Sequence, residues 1–199
     1  VRSQVGMVFQ DPDDQLFMPT LAEDVAFGPA NMGLSQEEVD ERVRWALQRV
    51  GLSALSAKVP HHLSFGQRKR AAFATVLSMR PQVLVLDEPT SNLDPRSRMG
   101  MVSLIREQQK NGTAIITATH DVNLVALLAD RVLLLNKSIV AEGDIHQIMS
   151  RRDLMDDLSL EMPILADLFK TLQEERLYSG AIPFIKDDAI GAIREMLRI

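Results

Sequence analysis

The run "VLVLDEPTSNLD" at positions 83 to 94 constrains this chain more than any other. Four aliphatic residues without polar alternation suit a short strand buried inside a parallel sheet. The strand delivers two adjacent carboxylates, Asp87 and Glu88, and stops at Pro89. In open α/β sheets the carboxyl ends of the strands are where ligands bind. One acid there supplies oxygen to a hard cation such as Mg²⁺, and its neighbour can orient or deprotonate an attacking water in phosphoryl transfer. An isolated Asp-Glu pair is more often a solvated turn. The continuation "PTSNLD" shifts the weight towards chemistry.

The surrounding pattern agrees with a layered α/β fold. "VGMVF" (5 to 9), "TAIITATH" (113 to 120) and "DRVLLLN" (130 to 136) read, like 82 to 88, as strands buried on both faces of a parallel sheet. Between them lie helices with explicit start and stop signals. Ser35 with Glu38 forms a capping box ahead of the apolar face Val39, Val43, Ala46, Leu47 and Val50, which ends at Gly51. A second helix starts at Asp94-Pro95 and stops at Asn111-Gly112. Residues 20 to 80 carry helical patterns and no convincing strand, which predicts a helical subdomain inserted into the sheet domain. Beyond about 150 the chain turns to short acidic helices punctuated by Pro163, Gly180 and Pro183. The expected division is therefore a domain over 1–150 and a C-terminal helical extension over 151–199.

Composition excludes several function classes. The net charge of -5 offers no global attraction to nucleic acid, and "RKR" at 68 to 70 is too short to reverse it. With no cysteine, disulfides, thiolate metal sites and cysteine nucleophiles are ruled out. The most hydrophobic stretches, "VLVLDEP" and "VALLADRVLLL", are far shorter than a membrane span and are broken by charge. No signal-peptide pattern opens the sequence. It starts at Val1 rather than Met and runs straight into a strand-like stretch, so an incomplete N-terminus is expected.

Five short motifs in series carry a family resemblance. "LSFGQ" (63 to 67), "VLVLDEP", "SNLD" and "ATHD" (118 to 121) resemble the signature, Walker B, D-loop and switch-histidine motifs of ABC-type ATPases, and Gln10 in "VGMVFQDPDDQLF" resembles the Q-loop glutamine. The resemblance implies a P-loop NTPase-like core with a mainly parallel sheet, the inserted helical subdomain and the short helical extension. It implies ATP and Mg²⁺ as cofactors. Asp87 and Gln10 would hold the metal, Glu88 would act as general base, and His120 would sense the γ-phosphate. Gln10 would also link the site to a membrane partner. Ser64, Phe65, Gly66 and Gln67 would reach ATP bound to an opposite subunit, with Asp94 at the dimer interface. Read locally, Ser64 is equally the N-cap of the helix that follows.

"FQDPDDQLF", "EDVAFGP", "LSFGQRKR" and "EGDIHQIMS" are similar to the energy-coupling-factor ATPases of cobalt, nickel and vitamin uptake. That implies a second ABC ATPase subunit and integral membrane transporter subunits as partners, no nucleic acid, and a peripheral place on the cytoplasmic face of the membrane. "DDAIGAIREML" (187 to 197) reads either as a dimerisation helix or as an ordinary amphipathic surface helix. His61, His62 and His146 are expected to be solvated, not ligands of a transported ion. One family element, the G-x-x-x-x-G-K-[ST] loop that wraps the phosphates, is absent, since no Gly-Lys pair occurs in the 199 residues. The alternative reading is therefore a non-catalytic module that lends only its signature face to a partner's ATP.

Overall fold

The computed structural model describes residues 4–197, arranged as two compact units, one running to Ala118 and the other starting at Thr119. In the first, β1 (Val5–Val8), β2 (Val83–Asp87) and β3 (Ala114–Ala118) form a parallel sheet in the order β1-β2-β3. Register aligns Gly6 with Leu84 and Ile115, and Met7 with Val85 and Ile116. Because side chains alternate across a strand, these are two different faces.

The Gly6, Val8, Leu84 and Leu86 face is buried, and the opposite face leaves Met7 46% and Ile116 59% exposed. The expectation of strands buried on both faces is thus corrected. Among the described residues helices cover one side only.

Three helices build the predicted helical part: α1 (Leu21–Asn31), α2 (Gln36–Arg49) and α3 (Phe65–Leu77). They pack on one another, and α3 also packs on β1. The Ser35–Glu38 capping box is formed, and Val39, Ala46 and Leu47 are the buried stripe of α2. Thr20 and Glu23 make a second box at the head of α1. Asp24 is buried in α1, where its Oδ1 accepts the Phe17 and Met18 N–H groups at 3.0 Å each, pinning the chain that leads into the helix. Burial raises its pKa in spite of those two bonds. Helix α4 (Pro95–Lys110) packs along β3 and begins and ends where Asp94 and Asn111 signal it.

The second unit opens with α5 (Val122–Leu128), then a hairpin of β4 (Arg131–Asn136) and β5 (Ser138–Asp144). These strands are antiparallel, turning at Lys137, whose φ is +59°. This corrects the reading of "DRVLLLN" as a parallel strand buried on both faces. Val132 and Leu134 point into the core, whereas Leu133 and Leu135 are exposed. Four helices follow: α6 (Ile145–Met149), α7 (Arg152–Asp157), α8 (Ile164–Glu174) and α9 (Lys186–Leu197). Val122, Val132, Met149, Met155, Phe169, Phe184 and Ala189 belong to one buried cluster, so the last helices share a core with the hairpin.

Candidate functional site

The site is built where β1 and β2 end and α3 begins. After Val8 the backbone leaves β1 and enters a 3₁₀ turn over Pro12–Asp14, which Asp11 caps by accepting the Asp13 N–H at 3.0 Å. Gln10 is held exposed between strand and turn. Gln15 locks this excursion in place. Its Oε1 accepts the Phe9 N–H at 3.2 Å, while its Nε2 donates to the Ala72 carbonyl at 2.9 Å and to Thr75 Oγ1 at 2.7 Å, both on α3. The Asp13 carboxylate lies 2.9 Å from Arg68 Nε, a second tie between the turn and α3.

β2 ends at Asp87, which is half-buried, and the next residue adopts a left-handed conformation, with Glu88 φ at +42°. Such a backbone is uncommon for a residue with a Cβ, costing roughly 1–2 kcal/mol, so the surroundings must impose it. The Glu88 N–H donates to the Ala118 carbonyl of β3 at 2.9 Å, and the Glu88 carbonyl accepts the Ser91 N–H at 3.2 Å, closing a turn over 88–91. Asn92, at φ +59°, redirects the chain into Leu93 and the cap of α4.

α3 is headed by a complete capping box. Ser64 Oγ accepts the Gln67 N–H at 3.3 Å, and Gln67 Oε1 accepts the Ser64 N–H at 2.8 Å. Ser64 is therefore an N-cap, and Gln67 is its reciprocal partner. A Cβ on Gly66 would lie 3.0 Å from Ser97 Oγ, so the absence of a side chain lets this turn sit close against the start of α4. Arg68 and Lys69 approach the Phe65 ring at 5.7 and 5.8 Å from its centroid, within cation–π range.

Phe9, Gln10, Asp11, Asp14, Phe65, Asp87 and Asn92 line one open depression of about 420 Å³. Of the residues singled out in the sequence, Gln10, Phe65 and Asp87 are thus brought to one cleft, with Glu88 adjoining Asp87. Asp94 stands at the head of α4, where its Oδ1 accepts the Arg96 and Ser97 N–H groups at 3.0 Å each. His120 belongs to the second unit, exposed, immediately before the α5 cap Asp121.

The Ser97 hydroxyl, then the Ser97 and Arg96 amides, hold the Asp94 carboxyl below its ordinary pKa. A lowered folded-state pKa contributes stability that is present above the unfolded pKa and lost as pH falls through the folded one. Asp94→Ala is therefore expected to melt below the parent at pH 7, with the gap narrowing as the solution is acidified past the usual carboxylate range. Thermal scans from pH 7 to pH 3 read this directly. A gap that does not change with pH contradicts the ionic cap.

Two groups went unrecognised in the sequence. Gln15 was hidden because nothing local distinguishes it from other loop glutamines. Lys69 lies in the short basic run at 68 to 70, yet it is 3% exposed, with Nζ donating to the Glu88 carbonyl at 2.5 Å and to Ser91 Oγ at 2.8 Å. Burial pulls its pKa down, while the carboxylates of Glu88, Asp11 and Asp87 act in the opposite direction. The signal in the sequence was position: Lys69 falls in phase with Ala72, Phe73 and Val76 on the buried side of α3.

The donor set at the cleft is hard oxygen, a carboxylate on Asp87 and an amide on Gln10. That suits Mg²⁺, which keeps several waters and takes only one or two protein carboxylates alongside phosphate oxygens. No cluster of three or more acidic or histidine side chains among the described residues forms a self-sufficient metal cage.

Comparison with known proteins places these features in context. Residues 1–91 match the family model described as "ABC transporter", and residues 58–126 match one described as "AAA domain, putative AbiEii toxin, Type IV TA system". The energy-coupling factor transporter ATP-binding protein EcfA of Methanosphaera stadtmanae is 46% identical over 195 residues, covering 96% of this chain and 70% of that protein. Its counterpart in Methanococcus maripaludis is 43% identical over 199 residues, covering 100% of this chain and 72% of that protein. Across similar curated proteins the chain spans between 56% and 72% of their length. Among solved structures, cbiO1 of Clostridium perfringens, described as part of the ABC transporter complex cbiONQ, superposes with a TM-score of 0.69 at 41% identity, covering 85% of this chain and 68% of that one. A dimeric ATP-binding cassette in a post-hydrolysis state, bound to ADP and Pi, gives a TM-score of 0.63 at 26% identity, covering 72% of this chain and 64% of that one.

Proposed function

The chain belongs to the ATP-binding subunits of energy-coupling-factor ABC transporters, and on that premise we propose that it binds and hydrolyses ATP to drive uptake of cobalt or nickel ions or of a vitamin. The observation that carries the reading is the conjunction of Asp87 and Glu88 at the end of β2 with the capped signature turn at the head of α3, in one compact unit.

Each residue contributes a separable step. Asp87 and Gln10 present oxygen ligands for Mg²⁺, which when bound supplies positive charge against the phosphate oxygens. Glu88 takes a proton from the attacking water. Ser64, Phe65, Gly66 and Gln67 sit at a helix N-terminus, where backbone amides and the positive end of the helix dipole favour an anion. In a dimer that turn faces the γ-phosphate of nucleotide held by the second ATPase subunit, with Asp94 at the junction. His120, in the second unit, would contribute a hydrogen-bond donor suited to phosphate.

Integral membrane subunits complete the transporter. No helix among the described residues is long and apolar enough to cross a membrane, which suits a peripheral subunit on the cytoplasmic face. The extension over 151–199 is a dimerisation element in this reading. Its α9 buries Ala189 and Ala192 while exposing a second apolar row of Ile190, Ile193 and Leu197.

A second reading keeps the signature role and drops catalysis: the chain lends only its signature face to ATP held by a partner ATPase. Titration of labelled ATP separates the two. The 199-residue polypeptide alone is expected to bind Mg-ATP weakly, and mixing with an ATPase subunit that carries a phosphate loop is expected to tighten binding in a manner that Ser64→Arg abolishes. Tight Mg²⁺-dependent binding without a partner would overturn the second reading.

A further inference from the structure

A lysine buried to 3% exposure on the side of α3 that also buries Ala72, Phe73 and Val76 calls for a reason, because a desolvated ammonium is costly unless fully hydrogen-bonded. Lys69 spends its donors on one turn. Its Nζ bonds the Glu88 carbonyl at 2.5 Å and Ser91 Oγ at 2.8 Å, and Ser91 Oγ in turn donates to the same carbonyl at 3.0 Å. With the Ser91 N–H at 3.2 Å, the Glu88 carbonyl is the focus of three donors. On the other side of the residue, β3 holds the Glu88 N–H through Ala118. Both polar groups of a left-handed residue are thereby fixed, and the direction of its side chain follows from that backbone.

We propose that Lys69 is a positioning residue for Glu88: it clamps the strained Glu88 turn and ties the setting of that carboxylate to the position of α3. The inference rests on the reading of Glu88 as general base. It has a physical corollary, because Lys69 lies little more than one helical turn beyond the Ser64–Gln67 cap. A rigid shift of α3, as when its N-terminus meets an anion, displaces the Glu88 carbonyl through a charge-assisted bond rather than through loose packing.

The test uses the subunit assembled in its transporter, comparing Lys69→Met, Lys69→Gln, Lys69→Arg and Glu88→Gln for ATP turnover, KM and melting temperature. Misplacing a catalytic group by about 1 Å costs up to roughly 100-fold. Lys69→Met is accordingly expected to lower kcat by about 10- to 100-fold with KM for ATP within about twofold of the parent. Lys69→Arg, which keeps charge and donors, is expected to recover most of the rate, and Lys69→Gln to fall between.

Parental kcat in Lys69→Met overturns the proposal. So does a rate loss that tracks a fall in melting temperature and a rise in KM without rescue by Arg, since that describes a structural lysine. If Lys69→Met does not fold, Lys69→Gln decides by the same split of kcat from KM. Glu88→Gln separates the two levels. Undiminished turnover there removes the general-base reading and this inference with it, whereas lost turnover there beside a parental Lys69→Met removes the inference alone.

Discussion

In a full-length form that carries a phosphate loop, replacing Glu88 by Gln is expected to lower ATP turnover by roughly 10²- to 10⁴-fold while leaving nucleotide binding in place, the usual consequence of losing a general base. The substitution is nearly isosteric, so the turn over 88–91 is undisturbed. That turn is held by backbone groups: the Glu88 N–H on Ala118, and its carbonyl on Ser91 and Lys69. Asp87 keeps its place as a cation ligand, and the capping box of Ser64 and Gln67 is untouched. Phosphate release under saturating Mg-ATP, with labelled ATP binding in parallel, measures both halves of the expectation. Hydrolysis at the parental rate would remove Glu88 from the chemistry. Loss of binding together with loss of rate would mean that the residue supports the cleft instead of activating water.

The second large effect concerns stability. A Cβ at Gly6 would stand 2.1 Å from Val76 Cγ1 and 3.3 Å from Pro81, far inside contact distance. Val76 is 3% exposed and β-branched, so its methyl has no free direction in which to retreat. Glycine is otherwise a poor strand residue, and its presence in β1 is explained by how closely α3 rides over the sheet. Gly6→Ala is expected to destabilise by about 3 kcal/mol, at the upper end of ordinary overpacking. Val76→Ala also destabilises by itself, through the space it leaves. The double variant should be more stable than the sum of the two losses allows, by roughly 1–3 kcal/mol, because the added methyl occupies the vacated volume. Urea unfolding of the four proteins completes the cycle. Strictly additive losses would show that β1 and α3 do not meet as described.

Much of the site was legible because its residues occur in local signals. Asp94-Pro95 and Ser64 announce helix starts that the structure forms, and "VLVLDE" announces a strand that ends on acids. A run such as "VLVL" does not say which face is the more deeply buried: among the described residues Leu84 and Leu86 are buried and Val83 and Val85 half-buried. Only pairing and packing tell Val85 from Leu86. The β4–β5 hairpin escaped because its turn is the single residue Lys137, with no Asn-Gly or Gly-Gly to mark it. Lys69 and Gln15 escaped for another reason. Apart from the Phe9 N–H on Gln15, their partners named above, Glu88, Ser91, Ala72 and Thr75, lie 19 to 60 positions away along the chain, and local patterning carries no information about such distant bonds.

Helix α3 belongs to several structures at once. Its first turn bears the cap, Lys69 holds the Glu88 turn, Ala72 and Thr75 anchor Gln15, and Val76 rests on β1. For a lineage drifting under mutation this makes α3 pleiotropic. A change that improves its packing also moves an acid, a loop and a strand, so gains in folding and in turnover cannot be selected independently along these thirteen residues. Adaptation to a new temperature would then be expected to proceed through α2, α4 and the second unit, leaving α3 as the slowest-changing helix of the fold.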